Sequence, residues 1–276
     1  MPEKAVEVFI EDLLRRQRLR KKDTPDENAA LFQGLSDTNL QTLLSNSRMN
    51  EFRSGHNIVQ QGDTPGYLYY IMNGSIKTLR HGTDGQESTI RMLQSGDTFM
   101  DAVIFMGGSS PVSVKTLEDS RILMIPAEAV RRHALHDSQF ACNLLKIVTK
   151  HYKSAIQQID SIVIKNPIER LGYYFLQQHL EQGSESLEVA LPFQKSTIAN
   201  HLGMKPETFS RALSQIKKMG INVDQEKLSL RDAYVLCHFC DPDTAQDCPQ
   251  FNTEKCPLTP GGPCGTRARS ACRPAT

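Results

Sequence analysis

From Asp137 to Lys165 the chain contains neither glycine nor proline, and Asn166-Pro167 closes the run. A stretch of that length without a breaker has one regular solution, a long helix. Leu145, Val148, Tyr152, Ala155, Ile159 and Ile162 recur along it at steps of three and four. They form an a/d seam held for about three heptads, the pattern by which a helix pairs with a second copy of itself. A seam this narrow also suits packing on its own domain, but the expectation is a parallel homodimer. The helix divides the chain as well, since the residues before it and after it follow different periods.

Ahead of it, from Asn50 to Pro126, short apolar runs are punctuated by Gly55, Gly62, Gly66, Gly74, Gly82, Gly85 and Gly96. Tyr67–Met72, Ser75–Leu79 and Ser88–Leu93 read as strands, with His81–Gly85 as a turn. Several short strands of this kind close into a roll or barrel. Ser36 is the expected N-cap of a helix that follows it. Residues 3–22 predict an opening helix, with Val6, Phe9, Ile10 and Leu13 as its apolar stripe and basic residues gathered at its end. That basic run suits contact with DNA or an acidic partner, but a run of this kind is more often a solvated face.

Behind the long helix the period is helical again. Ile168–Leu180 predicts a helix and Leu187–Leu191 a strand, with a hairpin at 221–230. Between them, Lys195–Gly220 reads as helix, tight turn, helix. Ile198 and Leu202 share a face, Ala199 permits close approach, Gly203 allows the turn, and Pro206 opens the second helix. Phe209, Ala212, Leu213 and Ile216 form its buried stripe. Glu207, Ser210 and Arg211 lie on the other side within the first two turns. An arginine fits guanine O6 and N7, and a glutamate accepts from cytosine N4, so this set predicts a recognition helix in the major groove. Lys195, Ser196, Thr197, Lys205, Thr208, Ser214, Lys217 and Lys218 are the expected phosphate contacts. Basic and acidic residues balance over Asn166–Leu230, and the whole chain carries a formal charge of only +1. Affinity for DNA then rests on local placement rather than on a general basic field.

The run Pro206-Glu207-Thr208-Phe209-Ser210-Arg211 resembles the E-x-x-S-R recognition signature of the Crp–Fnr transcription regulators. Gly62-Asp63, Asn73-Gly74 and Gly96-Asp97 resemble the cyclic-nucleotide-binding fold of the same family, and the likeness spans roughly Leu31 to Leu230. It implies an α+β chain: an extension at 1–28, a cyclic-nucleotide-binding-like sensory β-roll at 29–136 and a dimerisation helix at 137–165. A winged helix-turn-helix follows at 166–232, then a cysteine-rich tail at 233–276. It further implies a palindromic TTGAT-type operator read by Glu207, Ser210 and Arg211, contact with RNA polymerase, and a homodimer.

The effector is where the chain departs from the family. Cyclic-nucleotide binders of this fold hold the cyclic phosphate with an Arg-Ser pair after the second Gly-acid motif. Here Met106–Val112 carries no arginine, and Pro111 removes a backbone donor. Cyclic AMP is therefore not the expected effector. Phe99, Met100, Val103, Ile104, Phe105 and Met106 suggest an apolar lining that suits haem, as in the nitric-oxide-responsive branch that the Phe105-Met106 pair and the Pro206–Arg211 run resemble. His56, His81, His133, His136 and His151 are then the candidate axial ligands, none singled out by spacing. The N-terminal region lacks cysteine, which excludes the N-terminal iron–sulfur sensor of oxygen-responsive members.

Six of the seven cysteines lie from Cys237 onward, amid prolines, in a segment too short to build its own core. Clustered thiols of this kind suggest a metal before a disulfide framework. A Cys-x-x-Cys pair with two further thiolates fits tetrahedral zinc and an iron–sulfur cluster equally well. Some regulators of the family it resembles carry a cluster on C-terminal cysteines, and that resemblance implies Cys237, Cys240, Cys248 and Cys256 as the ligands. Thiol switching, for example between Cys264 and Cys272, and incidental thiols on an unstructured tail are the other readings.

Hydrophobic content of 39% with 23% charged residues describes a globular chain. No run approaches the roughly 18 apolar residues of a membrane span, and Glu7, Glu11 and Asp12 interrupt any secretory core, so a cytoplasmic location is expected. No phosphate loop, zinc-protease pattern or nucleophile elbow occurs, which argues against an enzyme. The competing class is a regulatory module that uses the roll alone and acts through protein contacts rather than DNA.

Overall fold

The computed structural model describes residues 2–19, 27–82, 87–183, 186–224, 227–232, 234–251, 253 and 256. These form two compact units that divide after Gln157, inside the long helix.

The first unit opens with helix α1 (Pro2–Leu19). Val6, Phe9 and Leu13 are buried as their spacing predicts, while Ile10 is half-buried. The ring of Phe9 meets Phe32 edge-on at 5.7 Å between centroids, and Phe32 meets Tyr70 at 5.2 Å, which ties the extension to the roll. Residues 20–22, the last of the expected opening helix, lie outside the described set. After a short 3-10 turn (Glu27–Phe32) comes α2 (Asp37–Leu44), where Ser36 Oγ accepts the Asn39 N–H at 3.2 Å as the expected N-cap.

The strands follow: β1 (Arg48–Phe52), β2 (Asn57–Val59), β3 (Tyr67–Asn73), β4 (Ser75–His81), β5 (Glu87–Gln94) and β6 (Thr98–Phe99). Helix α3 (Asp101–Met106) interrupts, then β7 (Ser113–Thr116), β8 (Ser120–Pro126) and α4 (Ala127–His136) complete the roll. Two antiparallel four-stranded sheets result, in the orders β1-β8-β3-β6 and β2-β7-β4-β5. Leu68, Ile71, Ile76, Val114, Ile122 and Leu123 are fully buried in one core with α1, α2 and α4. The turn expected at His81–Gly85 falls partly outside the described residues.

Helix α5 (Ser138–Ile164) matches the breaker-free run to within a residue at each end. In the second unit, α6 (Pro167–Glu181) starts where that run stops, and one residue performs both tasks. Asn166 Oδ1 accepts from Ile168 N and Glu169 N at 3.0 and 3.1 Å, while Glu169 Oε2 accepts from Asn166 N at 2.9 Å. That reciprocal capping box, with Pro167 at the first helical position, fixes the boundary. Then come β9 (Glu188–Ala190), α7 (Lys195–His201), α8 (Pro206–Lys218), β10 (Ile221–Asp224) and β11 (Lys227–Leu230). The last two pair as the expected hairpin, and β9 joins them in the order β10-β11-β9.

Past the hairpin the structure does not follow the division placed at 232/233. A 3-10 turn (Val235–Phe239) buries Leu236 and Phe239, and the Phe239 ring lies so close over Gly172 that a Cβ has no room there. Tyr173 Oη and Thr244 Oγ1 are 2.9 Å apart, and Lys165 Nζ reaches Asp241 Oδ2 at 3.2 Å. Asp241 also caps α9 (Pro242–Ala245). A segment without enough apolar residues for its own core thus shares that of α6.

Candidate nucleic-acid interface

The α7–turn–α8 hairpin is built as its residue pattern requires. Ile198, Ala199 and Leu202 are buried, and Gly203 takes φ +63°, a value that costs any other residue strain. Met204 N–H donates to Ala199 O at 2.9 Å and closes the turn. On α8 Phe209, Ala212 and Ile216 are buried and Leu213 is half-buried, so the stripe is narrower than the sequence suggests.

Glu207, Ser210 and Arg211 are all exposed on the opposite side. Arg211 Nε lies 3.4 Å from Glu207 O and Ser214 Oγ donates to Ser210 O at 3.0 Å, so these side chains are held by the helix itself. Ser196, Lys205, Ser214, Lys217 and Lys218 are exposed, whereas Lys195, Thr197 and Thr208 are half-buried. No side chain caps α8 at Lys205, which leaves its first N–H groups free to meet an anion. Every residue expected to touch DNA belongs to this one unit.

Along α5, Leu145, Tyr152 and Ile159 are 64%, 67% and 60% exposed; Ala155 and Ile162 are exposed and Val148 half-buried. Ile156 and Val163, outside the predicted seam, are exposed too, so the apolar face is broader than the heptad positions alone.

In the roll, two turns of like sequence use their acids in the same way. Asp63 Oδ2 accepts the Gln60 N–H at 2.8 Å and Asp97 Oδ2 the Gln94 N–H at 3.0 Å, with Gly62 and Gly96 at positive φ. Ser110 donates to Val112 O at 2.7 Å inside the 106–112 segment, so its hydroxyl is already engaged. Phe99, Met100 and Ile104 are buried and Val103 is half-buried. Phe105 and Met106, expected in the lining, are instead 48% and 76% exposed, because α3 ends there and turns them outward. Of the five candidate histidines, His56, His81 and His136 are exposed, and His133 Nε2 lies 3.1 Å from Asn39 O. His151 Nδ1 stands 3.2 Å from Asp101 Oδ2, a contact that no spacing rule reveals because 50 residues separate the pair. Burial pushes the buried Asp101 carboxyl up, but hydrogen bonds with His151, Thr98 and the Ala102 N–H together hold it below the usual carboxylate value.

Among the tail cysteines, Cys256 is buried and Cys237, Cys240 and Cys248 are half-buried. Burial, Asp241, Cys248 and Cys256 push the Cys240 thiol up to about 11. Among the described residues no group of three or more His, Cys, Asp or Glu side chains stands in an arrangement that could hold a metal ion.

Residues 49–137 match the cyclic nucleotide-binding domain model and residues 169–239 the Crp-like helix-turn-helix domain model. The chain belongs to the Crp–Fnr family of transcription regulators. A Mycobacterium tuberculosis relative described as a CRP-like cAMP-activated global transcriptional regulator is 22% identical over 209 residues, or 74% of this chain and 93% of the relative. The fumarate and nitrate reduction regulatory protein of Vibrio cholerae is 26% identical over 192 residues, covering 68% and 74%. Among solved structures, FixK2 from Bradyrhizobium japonicum superposes with a TM-score of 0.63 at 21% identity, covering 71% of this chain and 98% of that one. A CooA variant from Carboxydothermus hydrogenoformans gives 0.64 at 21% identity, covering 80% and 97%. Identities this low speak for the shared fold. As a Crp–Fnr member the chain is a DNA-binding regulator and not an enzyme, and its helix-turn-helix match runs to Phe239, past the hairpin and onto the segment packed against α6. Among the described residues no helix is long and apolar enough to cross a membrane.

Proposed function

We propose that the protein is a cytoplasmic homodimeric regulator that binds a palindromic TTGAT-type operator in response to a redox or gas signal and contacts RNA polymerase. The observation that carries this is the exposed trio Glu207, Ser210 and Arg211 on the first two turns of a helix whose other face is buried. In this reading the trio reads base edges, while Lys195, Ser196, Thr197, Lys205, Thr208, Ser214, Lys217 and Lys218 meet phosphates. The exposed apolar face of α5 supports pairing with a second copy, which would set two reading helices about one turn of DNA apart. Gel shift with a palindromic TTGAT-type duplex and a scrambled one tests the proposal; equal affinity for both would overturn it.

For the signal we propose the nitric-oxide-responsive branch, with cyclic AMP not expected because 106–112 lacks the arginine of the cyclic-phosphate clamp. Cys237, Cys240, Cys248 and Cys256 would hold an iron–sulfur cluster or zinc, a cluster supplying sensitivity to oxygen or nitric oxide. The raised Cys240 thiol and the absence of a ligating arrangement among the described side chains count against a site formed in advance. Haem in the roll is the alternative. Iron, sulfide and zinc analysis of protein purified without air, with its absorption spectrum, separates the three.

A further inference from the structure

The interior wall of the roll carries a polar pair with no assigned work. Antiparallel register sets Thr78 on β4 opposite Arg91 on β5, and Thr78 opposite Val114 on β7, which in turn faces Val59 on β2. Directly opposed residues share a face of the sheet. Val59, Val114 and Thr78 are buried, two of them in the main core, so this row points inward and Arg91 is its end.

Arg91 is half-buried, and among the described residues its guanidinium makes no hydrogen bond and no ion pair. Thr78 Oγ1 beside it is buried and likewise has no partner there. Five guanidinium donors and a hydroxyl withdrawn from water cost free energy unless something accepts from them. The nearby carboxylates do not fill that need. Asp101 is committed to Thr98 Oγ1 at 2.8 Å, the Ala102 N–H at 2.7 Å and His151 at 3.2 Å, and Asp97 to the Gln94 N–H at 3.0 Å. They act on Arg91 only through their field, which offsets part of the fall in its pKa that burial brings; a guanidinium stays charged in either case.

We propose that Arg91 and Thr78 form the polar end of an effector site in the roll, one that takes a small organic anion through its carboxylate or phosphate group. The cation comes from β5 and not from the 106–112 segment, so the site differs in kind from the cyclic-phosphate clamp that this chain lacks. The inference rests on the regulator reading for its biological sense, but its test does not involve DNA.

The test measures thermal unfolding of the full-length protein in sodium phosphate and in sodium acetate, each against chloride of matched ionic strength. Wild type, Arg91→Met, Arg91→Lys and Thr78→Val are compared. In the wild type at least one anion, at roughly ten times its dissociation constant, should raise Tm by about 4 °C. Arg91→Met should melt higher than wild type in chloride, being relieved of an unpaired buried charge, and should lose the anion increment. Thr78→Val should keep part of the increment. Should Arg91→Met fail to fold, Arg91→Lys decides: loss of the fork with retention of charge should cut the increment by half or more. No increment in wild type with either anion, or an undiminished one in Arg91→Met or Arg91→Lys, overturns the proposal. An operator that fails to bind leaves these results standing.

Discussion

Helix α8 and strand β5 place an arginine in opposite surroundings. On α8 the apolar residues Phe209, Ala212 and Ile216 are buried and Arg211 is exposed, so its guanidinium stays in water until a partner arrives. On β5 Arg91 ends a row of buried residues, already stripped of much of its water and, among the described residues, without an acceptor. The difference teaches where each region keeps its specificity. The helix reads by what it offers outward on a rigid support, whereas the roll holds an unmet demand inside that a ligand would satisfy. Removing Arg211 should therefore leave stability alone, and removing Arg91 should raise it.

The largest effect should come from breaking the support of the outward face. Ile216→Ala leaves a cavity behind a fully buried side chain and should cost the second unit about 4 kcal/mol. Denaturant unfolding measures it, and operator binding should fall in parallel. Arg211→Ala should lose about 2 kcal/mol of operator affinity, or roughly 30-fold, and relax preference at one base pair. Its melting temperature should match the wild type; a drop would mean that the residue is structural. His151→Leu probes the interior instead. It takes one partner from the buried Asp101 and should cost about 1.5 kcal/mol at neutral pH.

The sign of the pH effect follows from Asp101, whose folded pKa lies below its ordinary value. Its contribution is present above the unfolded carboxylate value of about 3.9 and is lost as pH falls through the folded one. In His151→Leu the acid transition should move to higher pH, as followed by circular dichroism. The smallest effect is expected at Lys217→Ala. Sequence preference should be untouched, with the slope of log affinity against log salt reduced by about one. A larger change in preference than in slope would move Lys217 into the base-reading set.

Much of the fold could be read from the chain because its signals are local. The breaker-free run predicted α5 nearly to the residue, Asn166-Pro167 predicted its end, and Ser36 its cap role, since each depends on neighbours within one helical turn. The α7–α8 hairpin was equally legible, as small, glycine and apolar residues at helical spacing leave few alternatives. The orientation of Phe105 and Met106 was not, because an apolar residue at the last turn of a six-residue helix faces core or water according to how the next loop leaves. Nor was the fate of the chain past Asp232. Composition correctly denied that segment a core of its own, yet nothing local announced that Gly172, far back in α6, leaves room for the Phe239 ring.

The sequence by itself determined the order of elements, the buried stripe of α8 and the polar set opposite it, because periodicity and capping act over a few residues. Only the tertiary structure decided that Asp101 meets His151, that Thr78 and Arg91 stand side by side on an inner wall, and that the start of the tail packs on α6. Those contacts join residues from 13 to 71 positions apart, as the pairs 78/91, 101/151, 173/244 and 172/239 show. Strand register and packing set such distances, and neither is written in any short window of the chain.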